Sequence, residues 1–130
     1  MNASYLQAMV DGMGAQWMKD RAETQMTLGK LIAALEELPA DMLIDGIHSP
    51  HSYRGYYSDL AFESASDKVT AGKALEMCRG AMGRVFQGYK GGDFMMGEAT
   101  PVWLAEYGSC GLRIMDLRHG GEIETAPDES

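Results

Sequence analysis

Thr27-Leu28-Gly29-Lys30-Leu31-Ile32-Ala33-Ala34-Leu35-Glu36-Glu37-Leu38-Pro39 (TLGKLIAALEELP) decides the fold class. Leu28, Leu31, Ile32, Leu35 and Leu38 recur at helical spacing, so they line one face of an amphipathic helix. Thr27 is placed to cap it, Met26 and Leu31 can staple its first turn, and Pro39 helps to end it. Burying each leucine is worth ~1.5 to 3 kcal/mol, so the stripe belongs to a core. Downstream the pattern shortens. Met42 to Ile47 and Tyr57 to Glu63 read as strands, joined by the polar stretch His48 to Tyr56, which is too long for a tight hairpin. Val69 to Phe86 returns to helical spacing, with Thr70 as its cap and Ala74, Leu75, Cys78, Ala81, Met82 and Val85 inward. Gly88 is expected to cap its C-terminus, and Gly91 and Gly92 to turn the chain back. Asp93 to Met96, Val102 to Tyr107 and Leu112 to Leu117 read as three further short strands.

Upstream, Leu6, Met9, Val10, Met13 and Trp17 form a second apolar stripe and predict an N-terminal amphipathic helix from Ala3 to Ala22. The expected fold is therefore α+β: a small antiparallel sheet of about four to five short strands packed with two core helices, plus the N-terminal helix. A chain of 130 residues suits one core. Its expected division is an N-terminal helical extension over 1–25, a single domain over 26–120 and an acidic flexible tail over 121–130.

The chain carries a net charge of −8, which disfavours wrapping a nucleic-acid polymer. Between Ile47 and Gly92, however, six basic residues face four acidic ones, so a small anionic ligand suits the middle of the chain better than a polyanion. No apolar run has the length of a membrane span, and the N-terminus lacks the pattern of a signal peptide. Two widely spaced cysteines form no disulfide framework. The expected location is the cytoplasm.

The segment richest in recognition chemistry is Pro50-His51-Ser52-Tyr53-Arg54-Gly55-Tyr56-Tyr57. Arg54 can grip a phosphate through two N–H groups, and a tyrosine ring can stack on a base. His51, Ser52, Tyr53 and Tyr56 join it as candidate contacts. Pairing of Arg54 with Asp59 or Glu63, with the tyrosines as packing residues, accounts for the same composition. Gln87 to Phe94 (QGYKGGDF) offers Tyr89, Lys90 and Phe94 around glycines. It follows a helix, whereas phosphate-cradling loops precede one. His48, His51, His119 and Cys110 match no metal-site spacing, and there is no GxSxG or HExxH motif. Neither a metal nor another cofactor is expected, and the residues favour a binding protein over an enzyme.

LGKLIAALEELP, PHSYRGYYSDLAFE, GYKGGDF and TPVWLAEYGSCG together resemble the phage anti-Thoeris sponge family, the first described type of Thoeris anti-defence protein. The resemblance covers about three quarters of the chain, and PHSYRGYY is its most specific part. It implies a protein that sequesters a cyclic ADP-ribose signal without cleaving it, with cyclic oligonucleotides as further ligands, and that assembles as a homo-oligomer from a dimer up to a hexamer. Under it Arg54 contacts phosphate and Phe94 stacks on a base. Arg113 or Arg118 adds a guanidinium from the last strand, and Arg79 and Arg84 are candidates for a second nucleotide site at a subunit boundary. The N-terminal helix has no counterpart in that pattern. Two other functions stay open: a small nucleotide-processing enzyme with His51 as base, and an acidic protein that inhibits a host factor by direct binding.

Overall fold

The computed structural model describes residues 19–107 and 110–128. Residues 19–24 form the helical turn α1, and the rest of the helix expected over Ala3 to Ala22 lies outside the described residues. The described elements then run α2 (Leu28–Glu36), β1 (Leu43–Ser52), β2 (Leu60–Thr70), α3 (Ala71–Ala81), β3 (Val85–Gln87), β4 (Asp93–Met95), β5 (Val102–Tyr107), β6 (Cys110–Leu117) and β7 (Ile123–Pro127). The fold is α+β. One five-stranded sheet has the order β1-β2-β5-β6-β7, and β3 and β4 form a separate two-stranded ribbon.

The sheet is mixed rather than antiparallel. β2 and β5 run parallel, pairing Leu60 with Val102 and Glu63 with Ala105, while the other neighbours are antiparallel. Parallel neighbours need a long crossover. Here it consists of α3 and the β3–β4 ribbon.

Caps set the helix starts as the sequence implies. The hydroxyl of Thr27 accepts from the Lys30 amide at 3.3 Å, and that of Thr70 from the Lys73 amide at 3.2 Å. Each such cap is worth about 1 kcal/mol. The end of α3 differs from its expected position. The helix stops at Ala81, with Met82 extended and Gly83 at φ 76°, a left-handed turn that glycine adopts without strain. Gly83, not Gly88, therefore turns the chain out of the helix, and Val85 begins a strand. The polar run after Ile47 also differs, because β1 continues through it to Ser52. An edge strand tolerates such residues, since one side of its backbone has no partner strand. Pro50 and a bulge between His48 and His51 fit that position.

Leu28, Leu31 and Leu35 of α2 and Ala71, Ala74, Cys78 and Ala81 of α3 pack with Ile44, Ile47, Leu60, Phe62, Val102 and Ile114 on one face of the sheet. Leu60 and Phe62 point into this core, and Ala61 between them points to the opposite face. The chain just before α2 is tied to the middle of the sheet: Met26 N–H donates to Ile114, Leu28 N–H to Thr100, and Val102 N–H to Met26.

At the C-terminal end, residues expected to form a flexible tail include β7, whose Ile123 pairs with Leu117 and whose Pro127 pairs with Leu112. Short acidic composition concealed an edge strand held by backbone bonds.

Burial pushes the Cys78 thiol up to about 12. At pH 8 the native thiol is then almost wholly protonated, and alkylation by iodoacetamide should be about a thousandfold slower in the folded protein than in denaturant. Peptide mapping of the Cys78 adduct over time measures this ratio.

Candidate functional site

The loop from Tyr53 to Asp59 folds back over the sheet face opposite the helices. Tyr53 N–H donates to the Asp59 carbonyl at 2.8 Å, Asp59 N–H to the Tyr56 carbonyl at 2.9 Å, and the Ser52 hydroxyl to the Tyr57 carbonyl at 2.6 Å. These bonds close the loop. They also aim its aromatic residues in two directions.

Tyr53 and Tyr56 turn inward. The Tyr53 ring stacks on Trp103 with centroids 4.3 Å apart and planes 6° apart, and Tyr56 lies tilted at 5.6 Å from Trp103. The seat is made of small residues, Ala61 and Ala105, with Gly111 beneath Tyr53. A Cβ at Gly111 would come within 2.9 Å of the Tyr53 ring, so only glycine fits there. Tyr53 is 3% exposed and Ser52 is buried. Both were candidate ligand contacts. Tyr53 instead covers the second face of the sheet, and Ser52 spends its hydroxyl on the loop.

Beneath this layer lies Asp59, completely buried. Arg21 grips its carboxylate through Nε at 2.6 Å and Nη2 at 2.8 Å, and Trp103 Nε1–H donates to it at 2.9 Å. The Arg21 guanidinium also lies 4.1 Å from the centre of the Tyr56 ring. Burial raises the Asp59 carboxyl above its ordinary value, opposed by the bonds from Arg21, Trp103 and Ser58. Asp59 is thus occupied by Arg21, not by Arg54.

Arg54, Tyr57, Tyr89 and Phe94 form the outward group. The Arg54 guanidinium stacks 3.7 Å from the centre of the Tyr89 ring, joining the β1–β2 loop to the β3–β4 turn. Tyr57 meets Phe94 edge to face at 5.9 Å. Gly88 is pressed between those two rings, and a Cβ there would approach each within about 3 Å. Gly91 and Gly92 both have positive φ, which turns the ribbon so that Tyr89 reaches Arg54. Tyr89 is 65% exposed, and Lys90 beside it is exposed. The two segments singled out in the sequence therefore meet.

The other candidates lie apart from this group. His51 Nε2 is 2.8 Å from Glu63 Oε1, and its Nδ1 is 2.9 Å from the Ser52 carbonyl. Arg79 pairs with Glu36 at 2.9 Å, and Arg84 lies 4.7 Å from the centre of the Phe86 ring. Arg113 donates to the carbonyls of Pro127 and Thr24, whereas Arg118 pairs with Glu124 at 3.4 Å. Arg113 and Arg118 line different clefts. No group of metal-ligating side chains occurs among the described residues.

Arg21 and Trp103 were not among the sequence candidates. Trp103 read as one more apolar strand residue, and the partnership of Arg21 with Asp59 spans 38 positions. No family model, curated protein or solved structure matches the chain.

Replacing Arg21 by alanine should leave a buried carboxylate unpaired and cost about 3 kcal/mol at pH 7. The sign of its pH dependence follows from Asp59, which then gains stability by taking up a proton. The deficit relative to the parent protein should shrink between pH 7 and pH 5, as measured by urea unfolding at both values.

Proposed function

We propose that the protein binds a cyclic nucleotide signal without cleaving it, at the surface formed by Arg54, Tyr57, Tyr89, Lys90 and Phe94. The observation that carries this reading is the exposed stack of Arg54 on Tyr89. Stacking holds the guanidinium plane in place while leaving its edge N–H groups available in geometry to meet phosphate oxygens. Lys90 adds a second positive charge from the same turn. The neighbouring Tyr57 and Phe94 rings supply an apolar wall for a base or sugar face.

A protein that removes a scarce signal by binding alone must reach nanomolar affinity, about −12 kcal/mol. One arginine and one lysine do not supply that. A second copy of the chain contributing to the site would add contacts, which supports a homo-oligomer of two or more subunits. The resemblance to the anti-Thoeris sponges points to cyclic ADP-ribose isomers as ligands and to neutralising host defence in the host cytoplasm as the purpose.

The pairing of His51 with Glu63 favours one other reading. A carboxylate that orients an imidazole is a feature of general bases, so a nucleotide-processing enzyme would use this pair.

One experiment separates the two. The protein is incubated with cyclic ADP-ribose isomers and cyclic dinucleotides, filtered and heat-denatured, and both fractions are analysed by mass spectrometry. The expected result is loss of one ligand from the filtrate and its return unchanged on heating. Arg54→Ala should weaken this binding at least ~10-fold, and His51→Ala should leave it intact. A new product that disappears in His51→Ala would establish the enzyme instead.

A further inference from the structure

β1 and β7 are the outermost strands of the five-stranded sheet, yet they touch at one end. Asp45 N–H donates to the Gly121 carbonyl at 2.9 Å, and Asp45 Oδ2 accepts from the Ile123 N–H at 2.9 Å. This curled end of the sheet holds a cleft of about 220 Å³. Asp45, Ser64, Ser66 and Lys68 give it a polar rim, and Leu104 and Ile123 supply its apolar part. It shares no lining residue with the Arg54–Tyr89 surface.

Irregular strand pairing opens this space. β2 pairs with β5 only from Leu60 to Glu63. Along its other edge, Ile44 pairs with Val69 and Gly46 with Ala65, so Ser66, Asp67 and Lys68 stand opposite Asp45 alone. Bulges of this kind re-aim side chains and recur beside functional sites. The arch of β2 passes close over Gly46, where a Cβ would collide with the Asp67 carbonyl, so only glycine lets the strand take this path.

The charges around the cleft select among ligands. Lys68 Nζ lies 3.5 Å from Asp45 Oδ1, longer than the about 2.8 Å of a strong charge-assisted bond, and the two side chains are 54% and 46% exposed. An exposed pair this loose contributes little, so a ligand separates it at small cost. A simple anion drawn to Lys68 would face the Asp45 carboxylate, and a simple cation drawn to Asp45 would face the Lys68 ammonium. A molecule carrying both charges leaves each group paired. Ser64 and Ser66 are exposed, and their hydroxyls have no protein partner among the described residues, so both are free to donate to a carboxylate. Leu104 and Ile123, partly buried against the core on the helical face, offer a seat to an aliphatic group. The volume is below the ~300 Å³ at which pockets for larger ligands begin, which excludes a nucleotide.

We propose that this cleft binds a free aliphatic α-amino acid such as leucine. Its ammonium donates to Asp45 Oδ1, its carboxylate accepts from Lys68 and the two serine hydroxyls, and its side chain covers Leu104 and Ile123. The Ile123 N–H keeps its hold on Oδ2, so the Asp45 carboxylate is oriented before the ligand arrives.

The test titrates the 15N-labelled full-length protein with L-leucine and, separately, with leucinamide, which lacks the carboxylate, and isocaproate, which lacks the ammonium. The backbone amides of Gly46 and Ile123 are followed by NMR. The expected result is saturable shifts of both signals with leucine, with a Kd of about 1 mM or tighter for so small a ligand. Each analogue should bind at least ~10-fold more weakly, because it leaves one charge of the cleft without its partner. Lys68→Gln, at an exposed position, should weaken leucine at least ~10-fold, and Arg54→Ala should leave it unchanged, which separates this site from the nucleotide surface. No saturable shift with leucine, an analogue that binds as well as leucine, full binding in Lys68→Gln, or loss of binding in Arg54→Ala would each overturn the proposal.

Discussion

A carboxylate removed entirely from water, that of Asp59, anchors the second face of the sheet. An ion in that position is tolerable only with a charged partner and its remaining lone pairs filled. Arg21 supplies the partner, and Trp103 and Ser58 supply hydrogen bonds. Those four residues come from α1, the β1–β2 loop and β5. Satisfying one buried charge thus fixes where the N-terminal helical residues cross the sheet and how the loop closes. It also sets the tilt of Trp103, on which Tyr53 and Tyr56 stack.

The two faces of the sheet are consequently built on different principles. On the helical face, aliphatic side chains of α2 and α3 meet those of β1, β2, β5 and β6, and the driving force is removal of apolar surface from water. Among the described residues, no helix layer of leucines covers the other face. Three aromatic rings, two alanines and a glycine close over an ion pair. This second arrangement is directional, because hydrogen bonds and ring stacking demand particular orientations. Its inward demands leave Arg54 and Tyr57 at the loop surface, where the β3–β4 turn meets them.

Only part of this site was legible in advance. Composition picked out PHSYRGYY and QGYKGGDF, because clustered arginine, tyrosine and glycine are the chemistry of recognition. Composition could not divide the tyrosines. Tyr53 and Tyr56 pack, Tyr57 meets Phe94, and Tyr89 carries Arg54, although all four look alike in sequence. Arg21 escaped notice for the opposite reason: it sits among charged residues of an amphipathic helix, where an arginine is ordinarily solvated. A sharper signal was present in Asp59, an acid directly followed by the apolar run Leu60-Ala61-Phe62, which implies a buried carboxylate in search of a cation.

What the sequence determined by itself was local. Helical spacing with Thr27 and Thr70 as caps set the starts of α2 and α3, and short apolar runs bounded by turn residues set β5 and much of β6, since those signals act within a few residues. The parallel pairing of β2 with β5, the strand hidden in the acidic C-terminal stretch and the extension of β1 through polar residues were decided by tertiary structure. Each depends on backbone hydrogen bonds to a strand distant in sequence, and a backbone N–H or carbonyl is the same chemical group in every residue except proline. The meeting of Arg54 with Tyr89 and of Arg21 with Asp59 belongs to the same class. A charge's partner is chosen by the geometry of the folded sheet, and no pattern confined to either segment records it.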